Sequence, residues 1–161
     1  GIIQASLEAD AFSKFFLPDG MIGDSLPKAI GPALNGSIGS VPGTDSPGNA
    51  KYAELAKGAG FESGPYGPES YDAAALIMLA MQAANSTESN VFKNNIMDIA
   101  NAPGEKIFPG ELGKAIKLIK EGKDIDYVGA TALELVGSGE SAGSFAEILI
   151  DNQKTNKVGY R

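Results

Sequence analysis

Gly139-Glu140-Ser141-Ala142-Gly143 has the form G-x-S-x-G, which in hydrolases lifts a serine hydroxyl onto a strained strand-to-helix turn. That hydroxyl needs a base to take its proton, and the chain has no His. The residues that follow read as a strand, so the string reads as a Gly-rich turn. Gly110-Glu111-Leu112-Gly113-Lys114 has the texture of a phosphate loop, but Ala115 stands where Ser or Thr is needed to reach a metal. Gly137-Ser138-Gly139 does not complete G-x-G-x-x-G either, because Ala142 takes the place of the last glycine. Asp124 and Asp126, and Asp19 and Asp24, pair carboxylates without the spacing or the distal Glu of a calcium loop. Asp19 fits two roles. It is a good turn residue in Pro18-Asp19-Gly20. It also follows an apolar strand, and a carboxylate beyond the end of a strand in an open α/β sheet lies where ligands bind and can hold an ammonium group. Tyr66, in Ser63-Gly64-Pro65-Tyr66-Gly67, likewise suits either the wall of an apolar pocket or the cover of a core edge.

These side chains must be placed by short alternating elements. The spacing of Ile3, Leu7 and Phe12 predicts a helix over 2–12. Lys14–Leu17 reads as a buried strand and Ser37–Val41 as a second short strand, and Ser25 as the cap of a short helix with Pro27 in its first turn. Pro42 to Gly48 is the clearest linker. Helices are predicted over 49–57, 69–84, 88–100 and 111–120. The second of these is apolar on nearly every face and so is expected between layers. Strands are predicted over 127–135, 145–150 and 158–160, with a Gly-rich turn over 136–143. The alternation points to α/β architecture, although the strands are too few for a complete doubly wound domain.

Composition removes several function classes. The chain has 161 residues, no Cys and no His, which excludes thiolate chemistry, disulfides and the commonest metal ligands. The net charge is -7, so no nucleic-acid partner is expected, because phosphate binding needs displaced counterions. A hydrophobic share of 43% supports a real core. The longest apolar run, Ala73 to Met81, is far shorter than the ~20 residues that span a bilayer. The first residues carry no charged n-region or long apolar stretch, which leaves the compartment open.

Four motifs in order resemble one family. Phe15-Phe16-Leu17-Pro18-Asp19-Gly20 followed by Leu26 to Val41 is similar to the second lobe of periplasmic leucine/isoleucine/valine-binding proteins, the type 1 solute-binding components of ABC importers. Ser63-Gly64-Pro65-Tyr66 leading into Tyr71-Asp72-Ala73-Ala74 resembles the family's pocket loop and the helix behind it. Pro109-Gly110-Glu111-Leu112 lies where many members have a Gly-rich turn, and Leu133 to Glu140 resembles a turn between the last strands.

The resemblance implies a partial type 1 periplasmic binding protein-like (Venus-flytrap) α/β fold, with parts of two Rossmann-like lobes. Residues 1–41 would belong to the second lobe, 42–128 to the first, and 129–161 to the crossover and final strands of the second. The chain would match the C-terminal half of a typical member, so an N-terminal half is an expected partner and unpaired sheet edges are expected. The implied function is that of a non-enzymatic substrate-binding component of an ABC importer. It would hold a small amino acid of branched-chain type, or a related amide or carboxylate, in an inter-lobe cleft. No cofactor and no metal are implied. Asp19 falls where the family often has Glu on the ligand ammonium, one methylene longer. Tyr66 falls at an aromatic position facing the ligand side chain. The segment Val41-Pro42-Gly43 would be a hinge. Permease subunits in the membrane and a periplasmic or extracellular, membrane-associated location complete the expectation. An extracellular sensing domain of a signalling receptor with the same fold is the alternative.

Overall fold

Residues 1–64 and 66–161 are described in a computed structural model. The chain divides into two units, Gly1–Gly43 with Ser144–Arg161, and Thr44–Gly143. The first opens with helix α1 (Ile2–Glu8), strand β1 (Phe16–Leu17), helix α2 (Ser25–Ile30) and strand β2 (Ile38–Pro42). The chain then forms the second unit: helices α3 (Pro47–Gly58), α4 (Gly67–Ala84), α5 (Ser89–Phe92) and α6 (Ile96–Ala100), strand β3 (Glu105–Ile107), helix α7 (Leu112–Lys120), and strands β4 (Ile125–Tyr127), β5 (Leu135–Val136) and β6 (Glu140–Ser141). It returns to the first unit as β7 (Phe145–Asp151) and β8 (Lys154–Tyr160).

In the first unit the four strands lie in the order β1-β2-β7-β8, with β1 parallel to β2 and the rest antiparallel. Asn152 and Gln153 both take positive φ, the geometry that lets a two-residue turn follow the right-handed twist of β7 and β8. Strand alternation sends Leu17, Ala146, Ile148 and Ile150 to one face, where they pack with Ile3 and Leu34. Phe16 and its cross-strand partner Ile38 remain exposed. β1 and β8 are the sheet edges. Helix α1 is shorter than its apolar spacing predicts. It ends at Glu8 and leaves Phe12 exposed. In α2, Ser25 is the first helical residue, and Asp24 stands at the cap without a side-chain capping bond.

The second unit is mainly helical. β3 and β4 form a parallel pair joined through α7. Leu79, Ile99, Ile107, Ala115 and Ile125 form its core with the inner face of α4. α4 is buried on that face only: Asp72, Ala75, Leu76, Leu79 and Ala80 are inside, while Ile77 and Met78 are exposed, so a uniformly apolar helix is here a half-covered one. The helix expected over 88–100 is two helices joined by a 3-10 turn at Lys93–Asn95. There the Asn94 side chain donates to the carbonyls of Asn90 and Val91, competing with the helical ladder. The strand expected over 127–135 stops at Tyr127, because the backbone beyond it turns to meet a buried carboxylate.

Candidate functional site

Asp19 sits in the first unit, where the apolar strand β1 ends. Pro18 holds extended geometry, and Asp19 opens a 3-10 turn running to Met21. Its Oδ1 accepts from the Gly20 amide at 2.7 Å, a local contact that orients the carboxylate. Residue 19 is exposed. Its chemistry is that of an accessible anion presented beyond a strand end, suited to an ammonium group.

Tyr66 sits in the second unit at the cap of α4, with φ of 64°. This is left-handed backbone, which a side-chain-bearing residue adopts only when its surroundings hold it there. Tyr66 is 40% exposed and lines a cavity of about 650 Å³ with Tyr52, Leu55, Phe61, Ser70 and Tyr71. The Tyr52 and Tyr71 rings meet edge to face, with centroids 5.6 Å apart. Tyr52 Oη lies 3.1 Å from Ser63 Oγ, and Tyr71 Oη accepts from the Gly110 amide at 3.0 Å. The Pro109-Gly110 turn therefore steadies the phenol behind Tyr66. Pro65 of the loop motif lies outside the described residues.

A buried carboxylate fixes the back of this unit. Asp72 Oδ1 accepts from Tyr127 Oη at 2.9 Å and the Ala130 amide at 2.8 Å, and Oδ2 accepts from the Thr131 amide at 2.8 Å and Thr131 Oγ1 at 2.7 Å. Four donors offset the loss of water around the anion. Gly129, with φ of 59°, completes the turn, and a Cβ there would lie 2.4 Å from Asp72 Oδ1. A Cβ on Gly48 of α3 would meet the Gly129 carbonyl at 1.9 Å, so the helix and this loop touch through bare backbone. Ser46 caps α3 by accepting from the Asn49 amide, and it donates to the Ala130 carbonyl. Burial, and next the Asp72 charge, push the Tyr127 phenol well above the ordinary tyrosine range. In the sequence Asp72 stands within Tyr71-Asp72-Ala73-Ala74 with no role of its own. The available signal was that it is the sole charged residue between Ser70 and Ala84.

The remaining motifs take structural places. Glu140 and Ser141 form β6, paired antiparallel with β5, so the G-x-S-x-G string is a hairpin arm and not a strand-to-helix elbow. Asp126 lies in β4, and the Asp124 carbonyl accepts from the Glu105 amide. Among the described residues no cluster of three or more Asp, Glu, His or Cys could hold a metal ion, and no helix is long and apolar enough to cross a membrane.

The fold is the α/β fold of type 1 periplasmic binding proteins. The chain superposes over 99% of its length on the crystal structure of a leucine-binding protein, LivK, from Thermotoga maritima, with a TM-score of 0.68 and 15% identity. It is also 30% identical over 103 residues to the chemotactic signal transduction system substrate-binding protein BasB of Halobacterium salinarum. That match takes in 60% of this chain and 25% of BasB, and the superposition takes in 40% of the LivK chain. The chain thus spans well under half the length of either protein. No family model matches the sequence.

Proposed function

We propose that this chain is part of a solute-binding protein, the substrate-binding component of an ABC importer. Its guest is a small amino acid of branched-chain type, or a related amide or carboxylate. Asp19 holds the guest's ammonium group and Tyr66 meets its side chain. Residues 1–41 are part of the second lobe, 42–128 part of the first, 129–161 the crossover and final strands of the second, and Val41-Pro42-Gly43 is the hinge. An N-terminal half completes both lobes, permease subunits receive the closed form, and the protein works in the periplasm or on the outer side of the membrane. The observation that carries this reading is the superposition on a leucine-binding protein, in a chain that also sets Tyr66 on the rim of an aromatic cavity. A guest favours closure only as far as it binds the closed state better. Calorimetric titration of the chain joined to its N-terminal half, with branched-chain and polar amino acids, tests the reading. Heat and a raised melting temperature are expected for at least one aliphatic amino acid, and a flat response across the panel overturns the assignment.

The similarity to BasB favours a second reading, a ligand-sensing domain that reports to a signalling receptor. Both readings share the guest and differ in the membrane partner. Co-purification with permease subunits or with a chemoreceptor separates them.

A further inference from the structure

Two consecutive residues anchor the start of α4 in different directions. Side chains one position apart on a helix point roughly 100° apart around its axis. Tyr71 Oη accepts from the Gly110 amide, while the Asp72 carboxylate accepts from Tyr127, Ala130 and Thr131. Held at two such points, this end of the helix can neither tilt nor rotate freely. Tyr66 stands one residue before the helix, and its carbonyl accepts from the Ser70 amide at 2.9 Å, so its ring is carried by the same end. The loop that Asp72 holds is also joined to α3. Ser46 Oγ donates to the Ala130 carbonyl, and Gly48 lies so near the Gly129 carbonyl that a Cβ would not fit. α3 carries Tyr52 and Leu55 on one wall of the cavity, and the start of α4 with its cap carries Tyr71 and Tyr66 on the other. The turn at 129–131 is thus a bracket between the two walls, fastened by Asp72. The walls meet closely: a Cβ on Gly67 would lie 2.6 Å from Tyr52 Oη, so a small shift of either helix changes the gap. Asp72 and Tyr127 are themselves buried and do not line the cavity.

We propose that Asp72 is a positioning residue of the candidate site. Its carboxylate does not touch the guest. By holding the 127–131 loop it keeps α3 and the start of α4 at the spacing in which Tyr66 meets the guest's side chain. The proposal rests on the solute-binding reading and adds to it the residue that sets the pocket wall. A binding wall works only when supporting bonds hold it to within about 0.5 Å. Four donors on one buried carboxylate give that support, because losing any of them leaves part of the anion unpaired.

Replacing Asp72 itself would cost the fold too much stability for a clean reading, so the test removes one donor at a time. Thr131→Val loses the hydroxyl and keeps the shape, whereas Thr131→Ser keeps the hydroxyl. Tyr127→Phe loses the phenol hydroxyl. Ile148→Val, in the sheet core of the other unit, is the control that lowers stability without touching the bracket. Each variant, in the chain joined to its N-terminal half, is titrated with L-leucine, L-isoleucine and L-valine by calorimetry well below its melting temperature. Thr131→Val and Tyr127→Phe are each expected to raise the Kd at least about fivefold, with Thr131→Ser and Ile148→Val within about twofold of the parent. Parent-like affinity in either Thr131→Val or Tyr127→Phe overturns the proposal. A loss in Thr131→Ser or Ile148→Val equal to that in Thr131→Val also overturns it, because binding would then follow stability or bulk alone. In each of these cases binding by the parent leaves the solute-binding reading standing. A parent that binds none of the three removes both.

Discussion

Tyr66 holds φ of 64°, a conformation that costs a residue with a Cβ about 1–2 kcal/mol. Strain of this kind persists where the surroundings hold a side chain in a working position. Tyr66→Ala and Tyr66→Gly both remove the ring, but only glycine also relieves the backbone. Tyr66→Gly is therefore expected to stay within about 1 kcal/mol of the parent in urea denaturation, with Tyr66→Ala lower by about 1 kcal/mol. Under the proposed function both variants lose the guest, as calorimetry would read. Equal stability for the two would mean that the left-handed backbone stores nothing. At this scale the sequence was informative about turn residues and less so about roles. Pro18-Asp19-Gly20 and the loop before Tyr66 carry local turn chemistry that any reader of the chain can see. Asp72 does not, because its donors Tyr127, Ala130 and Thr131 lie 55 to 59 positions away and leave no spacing to detect.

At the scale of elements, Asp72 decides where β4 ends. The amides of Ala130 and Thr131 turn inward to the carboxylate instead of extending a ladder, which is why apolar texture over 127–135 does not become a strand. Asp72→Asn keeps the shape but sets an amide NH2 against inward-pointing donors, and a loss of about 2–4 kcal/mol is expected by urea titration. A change under about 0.5 kcal/mol would show the clamp to be incidental. Tyr127 supplies a pH dependence. Burial first, and the Asp72 charge second, keep its proton on in the folded state, whereas the unfolded phenol releases it near pH 10. Its contribution is thus complete below about pH 10 and declines above it by up to about 1.4 kcal/mol per pH unit. Melting curves between pH 9 and 12 should fall more steeply for the parent than for Tyr127→Phe; parallel curves would contradict this. α7 was legible from the spacing of its apolar residues and α4 from its long apolar run, whereas β3 has three residues and too little pattern to register.

For the whole molecule, the sequence carried the α/β class through its alternating elements and the binding-protein likeness through motifs in order. It did not carry the bare sheet face. Phe16 and Ile38 look like core residues in a strand pattern, and whether such a face is covered depends on segments outside the strand itself. In the proposed function Asp19 holds the guest's ammonium group by charge. The most direct measurement is a calorimetric comparison of an amino acid guest with its analogue lacking the amino group, each against the parent protein and Asp19→Asn. A charge-assisted hydrogen bond contributes about 1.5–3 kcal/mol, so Asp19→Asn should weaken the amino acid by roughly 10- to 100-fold. The analogue should bind the parent and the variant alike. Equal losses for both guests, or no loss for either, would contradict the claim that Asp19 holds the ammonium group.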